Sequence, residues 1–264
     1  MHDCWKAGKR RDQFFQEDGI RNTAQERRLQ QMKIRIFKYD PAVDAEPYYI
    51  ENEVPFKEKM TLLEAIVYTR ENFEAVNYDY SCHGRMCGRC AVMLDGVPSL
   101  ACSTPLKDAA HTIEPLKGKT VIRDLIVDKT DFDDRLSKQY NRIRTEPIKV
   151  EEINNFDGAA AKIIWDDVNC TRCSCCDAAC PVYQTMPDQF VGPATMLAVY
   201  FRDKDTFDQA DRVVEAVSKG LYHCTRCGIC DQVCPRSEIK HVDHWNELRA
   251  EAEARGLKPS YAID

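Results

Sequence analysis

The sequence predicts an α+β fold, in which a small domain of strands and one helix is followed by an all-helical domain. Polar and apolar residues alternate in the first half, with the period of a half-buried strand. The second half lacks this alternation and carries helix start and stop signals instead. We therefore expect domains over residues 32–140 and 141–264, with a linker near residues 131–147. Residues 1–31 are charged and indicate an appended arm, with at most a short helix near residues 24–31.

Four strands and one helix are predicted in the first domain. Alternation predicts strands at residues 33–39 and 48–54. The segment Thr61-Leu62-Leu63-Glu64 is a capping box, which predicts that a helix begins there. Residues 91–101 predict a hairpin, because Asp95-Gly96 is favoured in two-residue turns. The apolar face of the helix is expected to comprise Leu63, Ile66, Val67 and Phe73.

Three helices are predicted in the second domain. Gly192-Pro193 precedes a helix through Phe201, since proline is favoured in the first turn. Residues 205–219 predict a second helix and residues 239–255 a third. Each of these two is followed by a glycine, the residue that favours the conformation after a helix C-terminus.

Composition and charge exclude several classes of function. The net charge is −6, and this mild acidity disfavours nucleic acid, which calls for clustered Lys and Arg, so no nucleic-acid partner is expected. No apolar run approaches the roughly 20 residues of a membrane-spanning helix. Arg10-Arg11 resembles the start of an export signal, but a polar stretch follows it in place of an apolar one. We therefore expect the protein to be located in the cytoplasm.

The first group of cysteines predicts a [2Fe–2S] cluster. Cys82-x4-Cys87-x2-Cys90-x11-Cys102 has the plant-type spacing, with three ligands in one loop and a fourth beyond the hairpin. Gly84 and Gly88 are expected to allow the positive φ angles that turn backbone N–H groups toward sulfur. The alternative is a zinc site or buried free thiols. Zinc usually pairs two C-x2-C segments, which favours the cluster here.

Two further groups of cysteines each predict a [4Fe–4S] cluster. Both have the C-x2-C-x2-C-x3-C-P spacing of bacterial ferredoxins, in which the fourth cysteine of each run ligates the other cluster. One cluster is therefore expected on Cys170, Cys173, Cys176 and Cys234. The other is expected on Cys180, Cys224, Cys227 and Cys230.

Two cysteines fall outside these groups. Cys175 directly precedes a predicted ligand, so we expect its side chain to point away from the cluster and to serve packing. Cys4 lies in the arm and has no expected role. His83 and His223 flank predicted ligands and either donate to sulfur or face water. No catalytic motif is present, so we expect no substrate-converting site in this chain.

These motifs, in this order, resemble the iron–sulfur subunit of succinate dehydrogenases and fumarate reductases. The likeness covers about Met32 to Arg255 and includes Cys175. Val121-Ile122-Arg123-Asp124-Leu125-Ile126-Val127-Asp128 is similar to the family's linker, and Phe190-Val191-Gly192-Pro193-Ala194 to its helix start after the cysteine run. The resemblance implies a β-grasp domain of the plant-type [2Fe–2S] ferredoxins, followed by an all-helical domain like the two-cluster bacterial ferredoxins.

The resemblance also implies an electron-transfer role in the respiratory chain and the tricarboxylic acid cycle. A separate flavoprotein would interconvert succinate and fumarate at FAD, and the three clusters would lead single electrons away from it. The partner on the other side would be a membrane anchor, with quinone as an indirect partner. The chain would then lie peripherally on the inner face of the cytoplasmic membrane, held by its partner subunits.

Three positions depart from the family's usual pattern. At the position of Cys227 the family usually has an aliphatic residue, which cannot ligate a fourth iron, so that the centre is [3Fe–4S]. At the positions of Thr185 and Thr225, quinone-reducing members have Trp and His. The extra cysteine is similar to the subclass whose partner is a cysteine-rich, heterodisulfide-reductase-like subunit. Alternatives are the same role for another flavin-dependent reductase of an unsaturated acid, a soluble thiol-linked fumarate reductase, or a zinc scaffold or redox sensor without turnover.

Overall fold

The computed structural model describes residues 30–153 and 157–262. The predicted arm and its possible short helix, including Cys4, therefore lie outside the described residues except at residues 30 and 31. The strands precede nearly all of the helices along the chain, in agreement with the predicted α+β class. The strands are β1 (Gln31–Lys38), β2 (Tyr48–Pro55), β3 (Ala91–Leu94), β4 (Val97–Leu100), β5 (His111–Glu114), β6 (Val121–Arg123) and β7 (Ile126–Val127).

Five strands form one mixed sheet in the order β2-β1-β5-β3-β4. The central strand is β5; β1 lies beside it, parallel to β5 and antiparallel to β2, and the remaining pairs are antiparallel. Along β1, Met32, Ile34 and Ile36 are buried while the residues between them are exposed, as the alternation predicted. Each such side chain contributes about 1.5–3 kcal/mol through burial. With helix α1 (Leu62–Asn72) packed on it, this sheet is the expected β-grasp arrangement.

Helix α1 (Leu62–Asn72) covers the sheet and begins at the predicted capping box. The backbone N–H of Glu64 donates to Thr61 Oγ1 at 3.3 Å, and the Thr61 N–H donates to the Glu64 carboxylate at 2.6 Å. The expectation that Phe73 belongs to the apolar face of this helix was wrong. The helix ends at Asn72, and Phe73 leaves it with φ −127° and ψ −84° to lie 48% exposed against the ring of Tyr68.

The hairpin of β3 and β4 turns at Asp95 and Gly96, as predicted. Both residues have positive φ, 51° and 80°, which is the requirement of a type I′ turn. The Asp95 carboxylate also accepts from the backbone N–H of Thr112 at 2.7 Å and lies 2.7 Å from His111 Nδ1. The turn is thereby tied to β5, which holds the hairpin in position beside the cysteine loop.

Ten helices occur among the described residues, and nine of them follow the sheet. After α1 come α2 (Thr130–Tyr140), α3 (Val150–Ile153), α4 (Gly158–Val168), α5 (Cys175–Ala179), α6 (Pro181–Thr185), α7 (Pro193–Asp203), α8 (Arg212–Ser218), α9 (Ile229–Val233) and α10 (His241–Ala254), with a 3₁₀ turn at Leu221–His223. Helix α7 is central, because its residues from Pro193 to Phe201 are all buried. None of the helices in the described ranges is long and apolar enough to cross a membrane.

Two expectations about this half of the chain were wrong. The first part of the expected linker is helix α2, which buries Phe132 and Leu136 and packs on α7. The helix expected over residues 205–219 begins only at Arg212, because aspartates before it bind local groups. Asp205 accepts from the Phe207 N–H, and Asp211 caps the helix by accepting from the Val214 N–H.

Candidate iron–sulfur centres

The loop before β3 turns three backbone N–H groups toward one sulfur. Gly84, Met86 and Cys87 each donate to Cys82 Sγ at 3.3 Å. These hydrogen bonds stabilise the thiolate and lower the pKa of Cys82 to about 6. The loop is therefore prepared to hold negatively charged sulfur even without iron.

The positive φ angles in this loop fall partly on unexpected residues. Gly88 has a φ of 65°, as expected, but Gly84 does not have a positive φ. His83 and Arg85 adopt 51° and 60° instead. Successive residues of alternating handedness direct their N–H groups to one side and form an anion-binding concavity. This geometry, which composition does not reveal, supplies the donors to Cys82.

The hairpin folds the fourth cysteine of this group back to the loop. The backbone N–H of Cys102 donates to Cys90 Sγ at 3.4 Å. Burial raises the pKa of the Cys90 thiol to about 12, with the neighbouring sulfurs of Cys102 and Cys87 adding to the effect. The four predicted ligands of the [2Fe–2S] cluster thus lie in contact, two by two, at the end of the hairpin.

The two ferredoxin-like runs contribute to each other's sites. One cavity is lined by Cys170, Cys173 and Cys176 of the first run together with Cys234 of the second. The other cavity is lined by Cys180 of the first run and by three cysteines of the second. These three are Cys224, Cys227 and Cys230.

The chemistry of these cavities fits iron–sulfur clusters. Each is lined by four sulfurs, and backbone N–H groups of Arg226 and Tyr183 donate to Cys224 and Cys180 Sγ at 3.4 and 3.5 Å. Each cavity is also lined by a side chain whose buried polar atom has no hydrogen-bond partner among the described residues: Ser174 Oγ at the first and Trp245 Nε1 at the second. Cluster sulfurs would be acceptors for such donors.

Comparison with known proteins agrees with this geometry. Residues 33–134 match the family model described as a 2Fe-2S iron-sulfur cluster binding domain, and residues 168–237 match the 4Fe-4S dicluster domain. The fumarate reductase iron-sulfur subunit of Escherichia coli O157:H7 is 32% identical over 234 residues, which are 81% of this chain and 89% of that protein. The chain belongs to the family of fumarate reductase and succinate dehydrogenase iron–sulfur subunits.

Two further comparisons extend this assignment. A subunit of the CoM/CoB fumarate reductase of Methanothermobacter marburgensis is 31% identical over 229 residues, which are 86% of this chain but 46% of that protein. The chain thus spans about half the length of this relative. A chain of the Mycobacterium smegmatis Sdh1 complex in the apo form has the same fold, with a TM-score of 0.76, 22% identity and coverage of 87% of this chain and 98% of that chain.

As a family member, this iron–sulfur subunit carries one [2Fe–2S] cluster and [4Fe–4S] clusters. Its two types of site lie in direct contact, because Gly88 in the [2Fe–2S] loop approaches the backbone of Thr171 and Cys173. The Arg85 side chain, in the same loop, donates to the carbonyl oxygen of Pro235 at 2.6 Å. The sheet is therefore joined to the helices at the cysteine loops.

The extra cysteine of the subunit, Cys175, is fully buried. It packs in the apolar cluster that is centred on the sheet, together with Cys173 and Ala178. This position agrees with the predicted packing role, but the thiol also interacts with the sulfur of Cys173, so the side chain does not point away from every predicted ligand. It also shows that the first helical run completes the core of the sheet.

The two histidines beside the predicted ligands make aromatic contacts in this subunit. His83 lies edge-on to Tyr80 at 4.8 Å between ring centroids, and His223 stacks on Tyr261 at 4.8 Å. Sequence reasoning missed Tyr140, Ser174 and Trp245. The Tyr140 hydroxyl interacts with Cys170, and its pKa is raised by burial first and by that neighbouring sulfur next. Only Trp245 gave a signal, as a tryptophan within a heavily charged helix.

Proposed function

We propose that this chain carries single electrons through three clusters between a FAD-containing flavoprotein and a second partner of a fumarate reductase or succinate dehydrogenase complex. The observation that carries the proposal is the order of the three sites. One site is lined by Cys170, Cys173, Cys176 and Cys234, and its backbone contacts Gly88 of the [2Fe–2S] loop. The short segment from Cys176 to Cys180 joins this site to the last one. This site therefore occupies the middle of a continuous row.

The proposed ligands divide into three sets of four. When bound, the clusters supply one-electron carriage, whereas a flavin hydride step handles electrons in pairs. The protein holds the sulfurs, keeps Cys173 and Cys176 of the middle site buried, and donates backbone N–H groups to the thiolates. The sets are Cys82, Cys87, Cys90 and Cys102 for [2Fe–2S]; Cys170, Cys173, Cys176 and Cys234 for the middle [4Fe–4S]; and Cys180, Cys224, Cys227 and Cys230 for the last.

Exposure supports partners at both ends of this row. Cys82 is exposed in the first site and Cys227 in the last, whereas Cys173 and Cys176 of the middle site are buried. Electron transfer weakens steeply with distance, so a partner needs access to an end of the row rather than to its middle. The flavoprotein would meet the Cys82 end and the second partner the Cys227 end.

The nature of the second partner is argued from the last site. Cys227 lines this cavity with three other cysteines, which supports [4Fe–4S] rather than [3Fe–4S] there. Thr225, at the position where quinone-reducing members have His, lines the same cavity. Thr185, at the position where they have Trp, donates its hydroxyl to the Pro181 carbonyl oxygen at 2.9 Å within its own helix. One relative is named for CoM/CoB rather than for a quinone. We therefore favour a cysteine-rich, heterodisulfide-reductase-like subunit over a haem-carrying membrane anchor.

The same proposal covers location. The complex would lie on the inner face of the cytoplasmic membrane, reached through partner subunits rather than through this chain. Quinone would be an indirect partner only where a membrane anchor takes the place of the cysteine-rich subunit.

The test uses the full chain purified without air, alone and with its flavoprotein. Alone it should contain about ten irons, as one [2Fe–2S] and two [4Fe–4S] clusters require, and no stoichiometric zinc. With the flavoprotein, succinate should reduce the clusters and fumarate should reoxidise them, as followed by EPR. Two or more zincs per chain would contradict the cluster assignment. Full iron with no response to either acid, but with a response to another unsaturated acid, would favour the alternative flavin-dependent reductase.

A further inference from the structure

Trp245 is a large buried side chain beside the last cluster site. It lies in α10, is fully buried, and lines the cavity that Cys180, Cys224, Cys227 and Cys230 also line. The helix around it is otherwise polar on much of its surface, with exposed acidic residues in its second half. Trp245 and Val242 are therefore the residues of α10 that face the centre.

The indole N–H of Trp245 has no acceptor among the residues that the structure describes. The two nearest rings do not provide one. His241 holds its Nδ1 2.9 Å from an Asp231 oxygen. His244 holds its Nε2 3.1 Å from an Asp167 oxygen, and its Nδ1 makes no hydrogen bond among the described residues. Buried polar groups in folded proteins nearly always have a partner, so an unpaired indole N–H next to a cavity indicates an acceptor that the polypeptide does not supply.

We propose that Trp245 Nε1–H donates a hydrogen bond to a sulfur of the cluster at this site and so raises the reduction potential of that centre. The inference rests on the proposed ligand set. Reduction adds negative charge to the sulfurs, so a hydrogen bond to sulfur is stronger in the reduced state and favours it. Trp245 is then a positioning residue that sets how readily the last centre accepts an electron, without ligating iron.

The middle site offers a comparison within the same chain. Ser174 is 1% exposed, lines the cavity of the middle site, and its hydroxyl also has no partner in the described part of the chain. The Ser174 hydroxyl and the Trp245 indole N–H lie at different sites, so a substitution that removes one of them should affect only the centre beside it. A change in Trp245 that also moved the middle centre would indicate a general loosening of the helices.

The first experiment compares Trp245→Phe with Trp165→Phe in the full, cluster-loaded chain. Phenylalanine keeps an aromatic ring but removes the N–H, and Trp165 is the matched control because it is 69% exposed on α4. In EPR-monitored redox titrations, Trp245→Phe should shift the last centre to a more negative potential and leave the middle centre unchanged. Trp165→Phe should shift neither. Full iron content with an unchanged potential of the last centre in Trp245→Phe would overturn the inference.

A second measurement needs no substitution, so it holds even where Trp245→Phe folds poorly. Wild-type chain labelled with ¹⁵N at the indole nitrogen should show, by pulsed EPR of the reduced last centre, a ¹⁵N coupling from one nearby indole. Absence of this coupling in chain with full iron would overturn the inference while leaving the proposed function intact. Wild-type chain that lacks the expected iron would instead contradict the proposed function.

Discussion

Gly88 is the position where a single methyl group should separate two cluster sites. Its φ is 65°, a conformation that L side chains rarely adopt. A Cβ atom there would lie 2.9 Å from both Cys173 N and Cys173 Cα, and closer still to the carbonyl oxygen of Thr171. These neighbours are backbone atoms, so they cannot turn aside as a flexible side chain would. Gly88→Ala must therefore push the [2Fe–2S] loop away from the loop of the middle site.

The magnitude of this effect follows from two contributions. Placing alanine in a left-handed conformation costs about 1–2 kcal/mol. Forcing an extra methyl group into a packed contact typically costs about 1–3 kcal/mol more. The cost of the extra methyl group is the contribution that reports on the contact between the two sites. It corresponds to a fall in melting temperature of roughly 2–12 °C for a chain of this size.

Gly96→Ala is the matched control, because Gly96 has a φ of 80° and nothing within 4 Å of its added Cβ. Both variants carry the conformational cost, and only Gly88→Ala carries the clash. We expect Gly88→Ala to melt below Gly96→Ala at the same scan rate and to weaken the magnetic interaction between the [2Fe–2S] and middle centres in EPR. Equal melting temperatures together with unchanged EPR interaction would refute the reasoning.

Three further outcomes are expected. Cys234→Ser should damage the middle centre and Cys180→Ser the last one, as Mössbauer spectra would show; damage to the centre of each residue's own run would contradict the exchange of ligands. Cys227→Ile should convert the last centre to [3Fe–4S], with a new EPR signal in the oxidised protein; a stoichiometric signal of this kind already in the wild type, unchanged by substitution, would disprove ligation by Cys227. Asp124→Asn should lower the free energy of unfolding by about 3 kcal/mol in denaturant titrations. The reason is that Lys38, which is largely buried and lies 2.8 Å from the Asp124 carboxylate, would lose its counter-charge. A change below about 1 kcal/mol would contradict this.

Local signals in the sequence were sufficient where structure is determined locally. The capping box at Thr61 and the turn at Asp95-Gly96 are formed by residues that are neighbours in the chain, and both occur as predicted. The helix start at Pro193 is a signal of the same kind.

Signals failed where distant contacts decide the structure. Helix α2 in the expected linker is stabilised by burying Phe132 against the helical half, which its polar sequence does not indicate. Residues 205–211 fall within the predicted helix, but Asp205 binds the distant Arg142 as well as the nearby Arg202. The spacing of the cysteines predicted which of them share a cavity, because the ferredoxin pattern encodes the exchange between runs. It could not predict Ser174 or Trp245, whose importance lies in buried polar atoms that have no partner in residues 30–153 and 157–262.

The lining of each cavity by residues of both cysteine runs has a consequence for biosynthesis. The middle cavity is lined by residues from Cys170 to His241, and the last one by residues from Cys180 to Trp245. A ribosome that has released only the first run has therefore made neither site complete. Both sites become available together, when the chain beyond residue 234 has emerged and folded back. Iron delivery to this half of the protein must consequently wait until the second cysteine run has emerged, and a product that ends before that run would hold neither cavity.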